Sequence, residues 1–258
     1  MSETILEVQD LCKHFRLSAR QQKLTHSPDR VKKAVDHLSF TAQRGEMFGL
    51  LGPNGAGKTT TLRMLATLLE PDSGDAIVAG ASIRTQPEQV RSRIGFLTSE
   101  LKLEECFTPN FLFDFFADLH QVPDQIRARR KEELFTRFDI HKFAEVKVAN
   151  LSTGMKQKLS LVISIVHDPE IVIFDEPTNG LDVITARVVT NFLKDLRAQG
   201  KTVILSTHIF SLVESLCDRV GILIDGAMVR CGTLEDVCQG RTLEDTFFAL
   251  YEERGNTL

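Results

Sequence analysis

The sequence predicts an α/β fold, a mostly parallel sheet with helices on both faces. Three observations carry that expectation. The apolar run Met47–Leu51 leads through a glycine-rich turn into a helical pattern at Lys58–Leu69. Two further apolar runs, Ile171–Phe174 and Thr202–Leu205, alternate with helical stretches, the order expected of parallel strands buried on both sides. At 258 residues the chain is long enough to bury a sizeable core, as one large domain or as a core with a subdomain.

Taken in order, Ile5–Leu11 carries apolar residues at Ile5, Leu6, Val8 and Leu11, and Ala34–Phe40 reads as a second strand. Between them, Arg16–Lys33 holds six basic residues against one acid, Asp29, and reads as an exposed basic loop. A solvated hairpin connection is the ordinary use of such a loop; contact with anionic lipid headgroups is the alternative. The Lys58–Leu69 segment repeats Leu62, Leu65, Ala66 and Leu69 on one helical face. Glu70–Gly74 is a turn and Asp75–Ala79 a short strand. From Thr108 to Val166 the pattern is helical, with Pro109 and Pro123 suited to first-turn positions. Phe107, Phe111, Phe113, Phe115 and Phe116 crowd one segment; most are expected in the core, with one or two facing a partner. A helix at about Thr185–Gln199 is stopped by Gly200. Val220–Ile224, Asp225-Gly226 and Ala227–Arg230 make a hairpin with a two-residue turn, and a terminal helix starts near Leu243. The chain has no internal repeat, which excludes two fused halves.

The totals narrow the function classes. A net charge of −4, from 31 basic and 35 acidic residues, provides no global field toward nucleic acid. The five cysteines (12, 106, 217, 231, 238) form no C-x-x-C pair; scattered thiols fit a reducing cytosol better than a disulfide framework, and on the same ground argue against a zinc site. Met1–Asp10 lacks the apolar stretch of a signal peptide. The longest apolar stretch, Leu161–Val166 around Ser164, falls far short of the roughly 20 residues of a membrane span. If the protein works at a membrane, another chain supplies the path.

Chemistry concentrates at four places. Gly52-Pro53-Asn54-Gly55-Ala56-Gly57-Lys58-Thr59-Thr60 has the G-x-x-x-x-G-K-T spacing of a phosphate-binding loop between strand and helix. Its glycines let successive N–H groups turn around an anion, Lys58 supplies a charge for the β- and γ-phosphates, and the Thr59 hydroxyl suits Mg²⁺. The expected ligand is a nucleoside triphosphate. Asp175 and Glu176 end an apolar strand on the sheet edge where the loop also lies. There Asp175 is placed to hold Mg²⁺ through water, and Glu176 to take a proton from an attacking water. His208 follows the strand Thr202–Leu205; a lone histidine is usually structural, but at this edge it is placed to steer that water. Leu151–Gln157 opens a helix with Ser152 as N-cap, and Ser152 and Gly154 at its start suit an anion.

These residues together resemble the ATP-binding subunit of ATP-binding cassette (ABC) transporters, over nearly the whole chain. The phosphate loop, the acid pair, the D-loop Asn179-Gly180-Leu181-Asp182 and the switch histidine His208 all match. Leu151–Met155 corresponds to Leu-Ser-Gly-Gly-Gln, with Thr153 and Met155 in place of Gly and Gln, and Phe15 stands where the family stacks an aromatic on adenine. Ser99 aligns with a family Gln that helps hold Mg²⁺ and senses the membrane subunit; Glu100 or water is the alternative. Gly95–His120 is similar to the sodium-efflux (NatA-type) branch. The resemblance implies a RecA-like P-loop NTPase core (1–95 and 161–258) with an N-terminal antiparallel β subdomain and an inserted helical subdomain (96–160).

It also implies a mode of action. Two copies sandwich two ATP molecules, Ser152 and Gly154 of one chain capping the γ-phosphate held by Lys58 of the other, with Asp182 of the D-loop also among the ATP-binding residues. Hydrolysis releases the clamp. The helical subdomain receives a cytoplasmic helix of an integral membrane permease, so the chain is peripheral on the cytoplasmic face. The hairpin and terminal helix after His208 leave no room for a large regulatory domain, which accords with export. The competing class is a soluble ABC ATPase acting on ribosomes or DNA; it usually carries fused cassettes or a long coiled coil, and this chain has neither. A P-loop kinase is a third, opposed by Glu176 and the D-loop that follows it.

Overall fold

The computed structural model describes residues 3–17, 30–98 and 103–254. Two sheets organise them. The first is antiparallel, with order β2-β1-β4-β5: β1 is Thr4–Arg16, β2 Val31–Gln43, β4 Ser73–Val78 and β5 Ala81–Ser82. The second has six strands: β3 (Met47–Leu51), β6 (Ile94–Thr98), β7 (Ile171–Asp175), β8 (Thr202–Thr207), β9 (Arg219–Ile224) and β10 (Ala227–Thr233). Their order is β10-β9-β3-β8-β7-β6, and every neighbour pair is parallel except β9 with β10.

The helices are α1 (Lys58–Leu65), α2 (Pro87–Arg93), α3 (Pro109–Leu119), α4 (Asp124–Phe138), α5 (Thr153–Ser164), α6 (Val183–Ala198), α7 (Phe210–Leu216), α8 (Leu234–Cys238) and α9 (Leu243–Glu253). Successive side chains of a strand point to opposite faces, and each parallel strand feeds two cores accordingly. Met47, Leu51, Val172, Phe174, Val203 and Leu205 join the core under α3–α7 and α9. Phe48, Leu50, Ile171, Ile173 and Ile204 join the core shared with α1 and the antiparallel sheet. That is why these strands read as unbroken apolar runs.

The structure departs from the sequence reading in its boundaries, each for a local reason. β1 runs on to Arg16 because β-bulges keep it paired with β2 beyond Leu11. α1 stops at Leu65, one turn short of Leu69, where Thr67 takes a left-handed φ of 59°. α6 begins two residues early because Asp182 Oδ1 accepts from both Ile184 N and Thr185 N, each at 3.0 Å. The stretch 108–166 divides into three helices and two 3₁₀ turns, His141–Phe143 and Val148–Asn150. Pro109 follows the Thr108 cap as expected, whereas Pro123 is itself the cap residue of α4. At the β9–β10 turn Asp225 and Gly226 both have positive φ (49° and 82°), the geometry of a primed hairpin turn.

The phenylalanine cluster splits. Phe113 is fully buried and Phe107 and Phe116 are half-buried, while Phe111 and Phe115 are 47% and 50% exposed. Leu119, one turn on from Phe115, extends that exposed stripe along α3. Residues 18–29 of the basic loop lie outside the described residues. No helix among the described residues is long and apolar enough to cross a membrane.

Candidate active site at the carboxyl edge of the parallel sheet

β3 sits between β8 and β9 at the centre of the six-stranded sheet, and the phosphate-binding loop leaves its carboxyl end. Two of the loop's glycines are sterically required. Gly57, the N-cap of α1, has a φ of 99°, and a Cβ there would run into the carbonyl oxygen of Ala34. A Cβ on Gly52 would meet the carbonyl oxygen of Leu223. The loop is thus pressed against β2 on one side and the end of β9 on the other.

Lys58 is only 5% exposed, and its ammonium donates to Gly52 O at 2.6 Å and to Pro53 O at 3.2 Å. It also lies 3.3 Å from Glu176 Oε1. Thr59 Oγ1 donates to Asp175 Oδ1 at 3.0 Å, which joins the loop to the end of β7. The parallel register sets Asp175 opposite Ser206 on β8. Ser206 Oγ donates to Asp175 Oδ1 at 2.6 Å and accepts from Glu176 N at 3.1 Å. Glu176 has a left-handed φ of 52°, a costly conformation for a non-glycine residue, here held by that hydrogen bond. Its Oε2 lies 3.0 Å from His208 Nδ1. Lys58, Thr59, Asp175, Glu176 and His208 are therefore one connected group.

A cavity of about 240 Å³ opens over this group, lined by Phe15, Lys32, Ala34, Pro53, Asn54, Gly55, Gly57, Lys58, Thr59, Thr60 and Glu176. Phe15 is partly exposed, with Lys13 Nζ 5.9 Å from its ring centre. Ala56 lines the adjoining hollow beside His14 and Tyr251.

Ser152, Gly154 and Asp182 do not line that cavity. They gather where the N-termini of α5 and α6 meet. Ser152 Oγ caps α5 by accepting from Met155 N at 3.3 Å. A Cβ on Gly154 would come within 3.0 Å of Thr185 Oγ1 and 3.9 Å of Asp182 Oδ2. The Thr185 hydroxyl, donating at 2.6 Å, holds the Asp182 carboxyl below its ordinary range. Beside it Val183 and Ile184 are almost wholly exposed. Ser99 and Glu100 lie outside the described residues.

Two residues of the site escaped the sequence reading. Ser206 is fully buried and orders both acids; the available signal was a serine directly after the apolar run Val203–Leu205. Lys32 lines the cavity but was counted among the loop cations.

Comparison with known proteins agrees with this arrangement. The family model described as "ABC transporter" matches residues 35–179. ABC transporter ATP-binding protein NatA of Bacillus subtilis is 38% identical over 217 residues, 84% of this chain and 88% of that protein. The chain belongs to the ATP-binding subunits of ABC transporters. The linearmycin resistance ATP-binding protein LnrL of Bacillus subtilis is 35% identical to this ABC subunit, covering 80% of this chain and 67% of LnrL. A solved ATP-binding subunit of an ABC transporter superposes with a TM-score of 0.83 at 29% identity, over 95% of this chain and 99% of that one. The ATP-binding cassette MJ0796, solved as a dimer in a post-hydrolysis state with ADP and Pi, shares the fold at a TM-score of 0.75 and 23% identity, over 89% and 98%. As an ABC ATPase, the protein binds ATP and hydrolyses it in the service of transport.

Proposed function

We propose that this ABC ATPase drives export through a separate integral membrane permease, two copies closing on two ATP molecules. One observation carries the two-copy reading. Ser152, Gly154 and Asp182 sit together outside the cavity that holds Lys58 and Glu176, so one chain offers two unlike half-sites. A second copy related by a two-fold axis supplies each half with its complement. Exposed Val183 and Ile184 next to Asp182 support an interface there.

In this reading Phe15 stacks on adenine, while the amides of the loop from Gly52 to Thr60 and Lys58 grip the phosphates. Glu176 takes the proton of the attacking water, and His208, its Nδ1 3.0 Å from the Glu176 carboxylate, orients it. Thr59 Oγ1 and Asp175 Oδ1 are adjacent hard oxygen donors, the set Mg²⁺ takes, and these residues would hold the ion; Ser99 is the third candidate. When bound, Mg²⁺ neutralises charge on the β- and γ-phosphates.

The exposed stripe Phe111, Phe115 and Leu119 on α3 supports docking of a cytoplasmic permease helix, and with it a position at the cytoplasmic face in this reading. Segment 96–160 acts as the helical subdomain in this reading. A relative named for Nod factor export supports the outward direction. Sodium as cargo rests on the likeness of Gly95–His120 to the NatA-type branch. Pull-down from membranes tests the reading: it predicts one integral membrane protein retained by the native chain and lost on Phe111→Ser with Phe115→Ser. RNA-stimulated hydrolysis without any membrane partner would contradict it.

A further inference from the structure

The antiparallel sheet holds a cluster of donor groups that nucleotide chemistry does not use. Between the pairs Leu11↔Leu38 and Lys13↔Val35, β1 contributes one residue, Cys12, where β2 contributes two, Asp36 and His37. This is a β-bulge, and a bulge redirects side chains that a regular ladder would send to opposite faces. As a result Cys12 Sγ, a carboxylate oxygen of Asp36 and a ring nitrogen of His37 all lie within 4.8 Å of one another. A neighbouring irregularity in β1 presents Asp10 to the same point, its Oδ1 2.6 Å from His37 Nδ1.

That last contact decides the chemistry. With Nδ1 engaged by Asp10, the ring offers Nε2, which lies 3.9 Å from Asp36 Oδ1. A carboxylate behind one imidazole nitrogen, with the other nitrogen turned toward further donors, is the outer-shell arrangement that orients metal-binding histidines. The donor set is one sulfur, one nitrogen and one oxygen. Such a mixed soft set suits Zn²⁺ and its neighbours, and is a poor match for Mg²⁺, which prefers oxygen alone. Cys12 is buried, Asp36 half-buried and His37 exposed, so a fourth position opens to solvent.

We propose that Cys12, Asp36 and His37 bind a zinc-class divalent ion, with Asp10 as the positioning residue. Three interactions compete with it. The Cys12 thiol donates to Asp10 O at 3.7 Å, a bond that loss of its proton to a metal would replace; the His37 amide donates to Cys12 Sγ at 3.3 Å, which leaves the sulfur other lone pairs; and Lys33 Nζ lies 3.2 Å from Asp36 Oδ2. Backbone hydrogen bonds tie the site to the nucleotide loop: Asp36 N donates to Gly226 O at 2.9 Å, and Gly226 N donates to Ala56 O at 3.1 Å. Ion binding at the bulge therefore acts on the wall against which the phosphate loop packs. No spacing in the sequence announces this site, because its donors come from two strands brought together by an irregular register.

Cobalt(II) titration of the full-length chain tests the proposal, since thiolate ligation gives Co²⁺ a charge-transfer band that oxygen sites lack. The expected result is a band saturating at one ion per chain, displaced by Zn²⁺ and unaffected by excess Mg²⁺. Cys12→Ser and His37→Gln should each abolish it; His37 is exposed, so the second variant keeps the fold if the first does not. Asp10→Asn should weaken binding by about 10–100-fold while the band remains, and Lys33→Ala should tighten it. A native chain without the band overturns the proposal. So does a band that survives His37→Gln, or one lost only when Cys106 or Cys231 is replaced.

Discussion

His208 Nδ1 lies 3.0 Å from Glu176 Oε2, while the other oxygen of the same carboxylate lies 3.3 Å from Lys58 Nζ. The residue after β8 and the lysine of the phosphate loop thus each engage one oxygen of Glu176. In the proposed reading, a carboxylate fixed in this way is pre-oriented toward the water that enters the cavity. Glu176→Gln keeps the shape but cannot take a proton. Hydrolysis should fall by about 10²–10⁴-fold with ATP still bound. Light scattering with ATP and Mg²⁺ should show a stable dimer, and a monomer at saturating nucleotide would count against the assignment.

Ser206→Ala removes the hydroxyl that donates to Asp175 and accepts from the Glu176 amide. Both acids lose their shared anchor, and a buried carboxylate is left short of a donor. Stability should drop by about 1–3 kcal/mol in urea unfolding, with turnover falling more steeply than ATP affinity. Unchanged kinetics would show that Asp175 and Glu176 hold their places without it.

Gly57 and Gly200 make a matched comparison. Both have positive φ (99° and 79°), but a Cβ on Gly57 would strike the carbonyl of Ala34, whereas one on Gly200 would meet nothing within 4 Å. Gly200→Ala carries the conformational term alone, about 1 kcal/mol. Gly57→Ala adds a backbone collision, so it should lower the unfolding midpoint further and abolish nucleotide binding. Equal effects on stability would mean that the loop shifts freely off β2.

His167 predicts a pH effect on stability. Its ring stacks on His120 with centroids 3.8 Å apart, and its Nε2 reaches Ile94 O at 2.9 Å. Burial, reinforced by His120, pushes its pKa from 6.5 down to about 4. Between those values the unfolded chain binds the proton that the folded chain refuses, so stability is present above pH 6.5 and is lost as pH falls toward 4. The loss approaches about 3 kcal/mol. Urea midpoints at pH 7 and pH 4.5 measure it, and His167→Gln should flatten the difference.

Phe111 and Phe115 are half-exposed and stack with ring centres 6.2 Å apart on α3. Replacing both by Ser should cost about 1 kcal/mol per site, half the value of a fully buried ring, and leave hydrolysis by the isolated chain unchanged. Of its functions, membrane recruitment alone should suffer. A large loss of stability would instead return these rings to the core.

What the sequence disclosed follows from the range of the interactions involved. The phosphate loop, Asp175 with Glu176, and His208 were legible because each follows a buried strand whose apolar run is hard to mistake. The β9–β10 hairpin was legible from Asp225-Gly226. Ser206 was not, since its role depends on cross-strand register, a long-range property. Nor was the extension of β1, because bulges interrupt the alternation that marks a strand. The exposure of Phe111 beside buried Phe113 likewise depends on which face of α3 meets the core, and a run of five aromatics blurs that face.

The central claim is that each ATP is held by Lys58 of one chain and by Ser152 and Gly154 of another. Mixing two inactive variants tests it most directly. Lys58→Ala spoils one half-site and Gly154→Asp the other, so each variant alone should be inactive. In the mixture, heterodimers regain one intact site, and hydrolysis should return. If the mixture stays as inactive as its parts, although both variants fold and dimerise, the nucleotide is not shared between two chains in this way.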